Sequence, residues 1–200
     1  MGTTAAIEPV PPAAYRQGRG WGWRAAGRAY LGLAGWRIVG AFPSEPKCVA
    51  IVAPHTSNWD FLLGLAILFG LDLRISWLGK HAIFRAPFRG LLRWMGGIPV
   101  DRRASHGVVG ECAQAFRAAP ALMLALAPEG TRKGVSQWKT GFYQIAVQAG
   151  VPLFPVAFDF AAHVVRLMPV FQPSGDLEAD LPRIQALFEG VEGLRQRPPG

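Results

Sequence analysis

From Val49 onward the chain alternates short apolar runs with longer segments whose apolar positions recur at helical spacing. Val49–Ala53 predicts a buried strand and Asn58–Leu71 a helix. Arg74–Leu78 reads as a strand, His81–Met95 as a helix, Ile98–Val100 as a strand and Ser105–Ala118 as a helix. Ala121–Ala127 is again a buried strand, Gly141–Ala149 a helix, and Leu153–Phe158 and Val164–Val170 are strands. Leu177–Gly190 predicts a last helix and Arg195–Gly200 a frayed tail. Strands that alternate with helices predict an α/β fold, a single-domain sandwich with a mostly parallel or mixed sheet flanked by helices. No repeat or linker interrupts it. Residues 1–14 are Pro/Ala-rich and expected to be loose. Residues 1–43 are therefore expected to form a basic aromatic N-terminal segment, partly disordered, ahead of a folded domain over 44–194 and a tail over 195–200.

Composition changes this picture in one respect. The chain has 200 residues, 21 Lys+Arg against 13 Asp+Glu, a formal charge of +8 and a mean hydropathy of +0.20. Charged residues make up only 17%, below the ~25% usual for a soluble domain. A chain both basic and greasy suits a partner that is anionic and apolar, as a phospholipid surface is, better than it suits nucleic acid. Tyr15–Pro43 sharpens this, because Tyr15, Trp21, Trp23, Tyr30 and Trp36 interleave with Arg16, Arg19, Arg24, Arg28 and Arg37. Such a segment is either a membrane-surface contact at headgroup level or a helix packed on the domain with its arginines solvated. A spanning helix needs ~20 mainly apolar residues. The longest uncharged stretch, Thr140–Phe158, is broken by Gly150, Pro152 and Pro155. The expectation is a cytoplasmic protein, peripheral on the inner face of the membrane. Cys48 and Cys112 both sit in apolar runs and read as buried reduced thiols, not as a disulfide framework or a zinc site.

Three clusters carry candidate chemistry. Pro54-His55-Thr56-Ser57-Asn58-Trp59-Asp60 follows the first buried strand and opens a helix, beyond the carboxyl end of the strand where α/β folds place ligands. On one continuous helix His55 and Asp60 would point ~140° apart. They can meet only if His55 lies in the preceding turn, Asp60 in the first helical turn, and Thr56 or Ser57 caps the helix. The pair is then a His–Asp dyad in which Asp60 fixes the imidazole tautomer. Read otherwise, Ser57-x-x-Asp60 is a capping box and His55 a loop histidine. Pro128-Glu129-Gly130-Thr131-Arg132-Lys133-Gly134 follows the strand Ala121–Ala127, and is either a phosphate cradle or a polar turn. Gly96-Gly97-Ile98-Pro99-Val100-Asp101-Arg102-Arg103 brings two more arginines to a strand end. The stripe Arg85, Arg89, Arg93 precedes it, in a stretch from Lys80 to Val100 without an acid, and suggests an anionic partner.

Taken together these clusters resemble the glycerolipid acyltransferase family, which includes the lysophosphatidic acid acyltransferases. The family's four blocks occur in order as His55…Asp60, Gly96-Gly97-Ile98-Pro99-Val100-Asp101-Arg102, Glu129-Gly130-Thr131-Arg132 and Val151-Pro152-Leu153-Phe154-Pro155-Val156. The resemblance covers residues 48–172 and marks 44–194 as an acyltransferase domain. It implies transfer of a fatty acyl group from a thioester, acyl-CoA or acyl carrier protein, to the hydroxyl of a lyso-glycerophospholipid such as lysophosphatidic acid. His55 is then the general base and Asp60 its orienting partner. Glu129, Gly130, Thr131 and Arg132 would hold the acceptor headgroup, Arg102 would bind phosphate, and Pro155 would shape the site. The resemblance implies no metal and no cofactor beyond the acyl donor. Lys133 stands where the family often has Ser, and the chain is short for the family, so a non-glycerol lyso-lipid stays open as acceptor. The competing classes are a non-catalytic peripheral lipid-binding protein and a nucleic-acid binder. No nucleic-acid recognition motif supports the latter.

Overall fold

The computed structural model of the chain describes residues 9–55, 57, 59–100, 107–129 and 138–194. Its elements are α1 (Trp21–Leu33), β1 (Arg37–Gly40), β2 (Lys47–Ala53), α2 (Trp59–Gly70), β3 (Ser76–Lys80), α3 (Arg89–Trp94) and β4 (Gly97–Val100). They continue with α4 (Gly107–Ala118), β5 (Leu122–Leu126), α5 (Gly141–Ala149), β6 (Leu153–Asp159), β7 (Val164–Leu167) and α6 (Leu177–Ala186). Among the described residues the strands form one seven-stranded sheet in the order β1-β7-β6-β2-β5-β3-β4. β6, β2, β5, β3 and β4 run parallel, while β7 turns back antiparallel on β6 and carries β1 parallel to itself at the edge. This is the expected α/β sandwich with a mostly parallel sheet.

The period-two alternation of β2 separates two cores. Cys48 and Ala50 face one side, with Leu31 of α1, Leu63 and Ile67 of α2, Met123 of β5 and Phe154, Val156 and Phe158 of β6. Val49, Ile51 and Ala53 face the other, with Cys112 and Phe116 of α4, Phe142, Ile145 and Ala146 of α5 and Ile184 of α6. Both cysteines are free and buried, as their surroundings in the sequence imply.

The structure departs from the pattern-based reading in three places. The segment expected to be helical from His81 to Met95 has only a 3-10 turn over His81–Ile83 and the six-residue α3. Pro87 lies between them, and a proline lacks the N–H an unbroken helix needs. Arg37–Gly40, hidden inside a Trp/Arg/Gly-rich run, is the edge strand β1. The basic aromatic segment is not a separate layer ahead of the domain. Tyr15, Leu31, Trp36 and Ile38 are buried in the first core. The Tyr15 hydroxyl donates to the Glu45 carbonyl oxygen. The N–H groups of Gly18 and Arg19 donate to the Asp72 carboxylate at 2.9 Å each. Gly27 of α1 lies so close to Gly70 and Ala66 of α2 that a Cβ there would overlap their backbone.

Candidate active site

β2 ends at Ala53 and the chain turns through His55 before α2 starts at Trp59. The break between turn and helix lets two residues five apart converge. His55 Nδ1 lies 3.2 Å from Asp60 Oδ2. The Asp60 side chain is fully buried, while that of His55 is 23% exposed. The same Oδ2 accepts the Ser57 backbone N–H at 2.8 Å, and Ser57 Oγ accepts the Trp59 N–H at 3.1 Å. Capping and dyad are thus one arrangement. The carboxylate that closes the first turn of α2 also faces the imidazole, which holds the ring with Nδ1 inward. Asp60 Oδ1 is buried and has no hydrogen-bond partner among the described residues.

Glu129 follows β5, the strand next to β2, and is buried. Its Oε2 accepts the His55 backbone N–H at 3.1 Å across 74 residues of sequence. A buried carboxylate is costly without such partners, and here the bond ties the His55 turn to the neighbouring strand end. Beyond this turn an apolar cavity of about 260 Å³ runs between α2 and the sheet. His55 and Asp60 line it together with Phe61, Gly64 and Leu68 of α2. Ala50, Val52 and Ala125 form part of its floor, and Phe42, Phe154 and Leu167 also line it. It exists because the strand positions beneath α2 carry alanines and the helix carries a glycine; a Cβ on Gly64 would meet nothing within 4 Å.

Of the residues singled out in the sequence, His55, Asp60 and Glu129 come together here. Pro155 is buried in the middle of β6, in register with Ile51 of β2, and does not line the cavity. Arg102, Gly130, Thr131 and Arg132 lie outside the described residues. Sequence reasoning missed the cavity and the link from Glu129 to His55. The small residues Ala50 and Ala125 at inward strand positions were the one available signal for the cavity. Nothing local announces the Glu129 link.

A mostly parallel α/β sandwich with a His–Asp pair at a strand end, lining an apolar cavity, is the class of arrangement that the fold and the site define. The Acyltransferase family model matches residues 39–159, and the chain belongs to that family. Among curated relatives, the 1-acyl-sn-glycerol-3-phosphate acyltransferase of Haemophilus influenzae is 30% identical over 140 residues, covering 65% of this chain and 56% of the relative. The enzyme of the same name from Escherichia coli is 29% identical over 123 residues, covering 58% and 49%. The human 1-acyl-sn-glycerol-3-phosphate acyltransferase alpha is 31% identical over 121 residues, covering 57% and 41%. The chain thus spans about half the length of the curated relatives it matches. The crystal structure of the 1-acyl-sn-glycerophosphate (LPA) acyltransferase PlsC from Thermotoga maritima superposes with a TM-score of 0.60. It is 18% identical, covers 88% of this chain and 80% of that one, and shows a shared fold.

Proposed function

We propose that the protein is an O-acyltransferase that moves a fatty acyl group from a thioester donor to the hydroxyl of a lyso-glycerophospholipid, with lysophosphatidic acid as the leading acceptor. The observation that carries this reading is the His55–Asp60 pair lining an apolar cavity. Asp60 holds Nδ1, so Nε2 is the nitrogen that would take the acceptor's hydroxyl proton as its oxygen attacks the thioester carbonyl. The tetrahedral intermediate then collapses, the C–S bond breaks, and the imidazolium returns the proton to the leaving thiolate. General-base assistance of this kind contributes typically ~10²–10⁴ in rate. The cavity supplies an apolar place for an acyl chain, and burial of each CH₂ there is worth about 0.8 kcal/mol. Glu129 serves in this reading as a positioning residue, holding the His55 backbone. Arg102 and Arg132 are the proposed phosphate contacts, with Gly130 and Thr131 beside them. The donor is acyl-CoA or acyl carrier protein, no further cofactor or metal is required, and the site is reached from the inner membrane face. No helix among the described residues is long and apolar enough to cross a membrane.

The test is a product scan by mass spectrometry, with mixed acyl thioesters and a panel of lyso-lipids. New diacyl product from one acceptor with wild-type protein, and none with His55→Ala, is the expected result. Thioester consumption by the His55→Ala variant at the wild-type rate would remove the dyad mechanism. Vesicle binding without any thioester consumption would favour the non-catalytic lipid-binding alternative.

A further inference from the structure

The segment between β3 and β4 covers little of the fold, yet it is apolar. From Ala82 to Trp94 only Phe84 is buried, and α3 has no buried residue at all. Phe88 is 62% exposed, Leu91 52%, Ile83 46% and Trp94 39%. Arg85, Arg89 and Arg93 are exposed beside them, and no acidic residue occurs from Leu73 to Val100.

This surface continues in two directions. Trp94 lies 5.4 Å from the ring of Trp23 on α1, and Trp23 stacks on Phe69 at 4.9 Å. In the other direction the link runs inward, where the buried Phe84 packs on Trp77 with ring centroids 6.0 Å apart and Trp77 meets Phe61 at 6.5 Å. Trp77 and Phe61 line the cavity, and Phe61 is also 41% exposed. Most of the net positive charge lies in the half of the chain that contains this segment. Residues 9–100 carry eleven basic and three acidic groups, whereas residues 101–200 carry ten and nine.

We infer that the 82–94 segment is an interfacial element that lies in the headgroup layer of an anionic bilayer and sets the cavity mouth at the lipid surface. Phe88 and Leu91 enter the acyl boundary, Trp94 and Trp23 sit at headgroup level, and the three arginines meet lipid phosphates. An apolar face of this kind with basic flanks has the chemistry of a surface-bound amphipathic helix. A single-sign arginine set in a stretch of chain without an acid from Leu73 to Val100 complements anionic lipid. Exposed large aliphatic and aromatic side chains, joined through Trp77 and Phe61 to an apolar cavity, favour a lipid surface over a soluble acidic protein. This inference rests on the reading that the cavity takes an acyl chain, and it specifies where a membrane-resident acceptor would enter.

The test uses the full chain and sucrose-loaded vesicles of phosphatidylcholine, alone or with one-third phosphatidylglycerol. Wild-type protein is expected to co-sediment with the anionic vesicles. Phe88→Ser/Leu91→Ser should weaken this at least about ten-fold while leaving the circular dichroism and melting curve unchanged, since both side chains are exposed. Arg85→Ala/Arg89→Ala/Arg93→Ala should lower affinity roughly a hundred-fold on anionic vesicles and little on neutral ones. With a short-chain lyso-lipid dissolved as monomers, both variants should turn over like wild type, and only vesicle-borne acceptor should be used poorly. If no acceptor is turned over in any form, the acyltransferase reading fails while loss of vesicle binding still supports the interfacial element. Unchanged co-sedimentation of both folded variants overturns it, and so does wild-type protein that binds an acidic carrier protein but no vesicle.

Discussion

The two faces of the central sheet are built from the same strands and do different work. On one, α4, α5 and α6 close over Val49, Ile51, Leu124 and Leu153, and the void beside Cys112 is about 20 Å³. A buried polar clamp locks that layer. Asp180 accepts the Tyr143 hydroxyl at 2.8 Å, and the Ser174 N–H and hydroxyl at 2.6 and 2.9 Å. On the other face α2 stands off alanines and leaves about 260 Å³ open, lined in part by the His55–Asp60 pair. Protein interiors are normally close-packed, so unfilled apolar space is costly unless something occupies it. One face thus carries the buried polar clamp, and the other carries the cavity that the proposed reaction would use.

The largest effect that tests this division is loss of the dyad. His55→Ala should lower turnover by ~10²–10⁴ at unchanged melting temperature. A parallel loss of stability would mean that His55 belongs to the scaffold. Next is Phe116→Ala on the filled face, which should cost about 3–5 kcal/mol in denaturant unfolding with the acyl-chain preference of the remaining folded enzyme unchanged. A shift in chain preference would show that the two faces are coupled. Gly64 offers the converse. Gly64→Leu should shorten the accepted chain, read from the product distribution, and Gly64→Ala should raise stability by about 0.8–1 kcal/mol, because the helix gains propensity and the new Cβ meets no atom. The smallest effect is in the acid limb of the stability curve. The Ser174 N–H, followed by the Tyr143 and Ser174 hydroxyls and Arg183, holds the Asp180 carboxyl below its usual range, against its burial. A depressed carboxyl stabilises the fold above its ordinary value and ceases to do so as pH falls through the folded value. Wild-type melting temperature should therefore drop below pH 3.8, and Asp180→Asn should flatten that drop. An equally steep acid limb in the variant would assign the drop to other carboxylates.

Most of the strand and helix order is legible in the chain, because apolar periodicity and turn residues act over a few positions. The exceptions have local causes. Pro87 divides a segment whose apolar spacing reads as one helix. β1 is four residues long and gains its partner β7 only through register, Ile38 opposite Val165. The basic aromatic segment reads equally well as surface or core from spacing alone. Tyr15 and Trp36 are buried because β1 joins the sheet and the Asp72 carboxylate holds the Gly18–Arg19 backbone. A deletion of residues 1–43 would therefore remove part of the core along with any membrane contact.

At the site, the dyad and the capping box are competing readings of one heptapeptide, and in the fold they share a single oxygen. The residue types at His55, Ser57 and Asp60 are determined by the sequence because their chemistry is short-range, completed within one turn of chain. That Glu129 holds His55 from 74 residues away was decided by tertiary structure. So was the convergence of Ala50, Gly64 and Ala125 on one space beneath α2. Both depend on β5 lying beside β2 and on which side of the sheet α2 crosses, and strand order is a property of the whole packed chain that no local spacing carries.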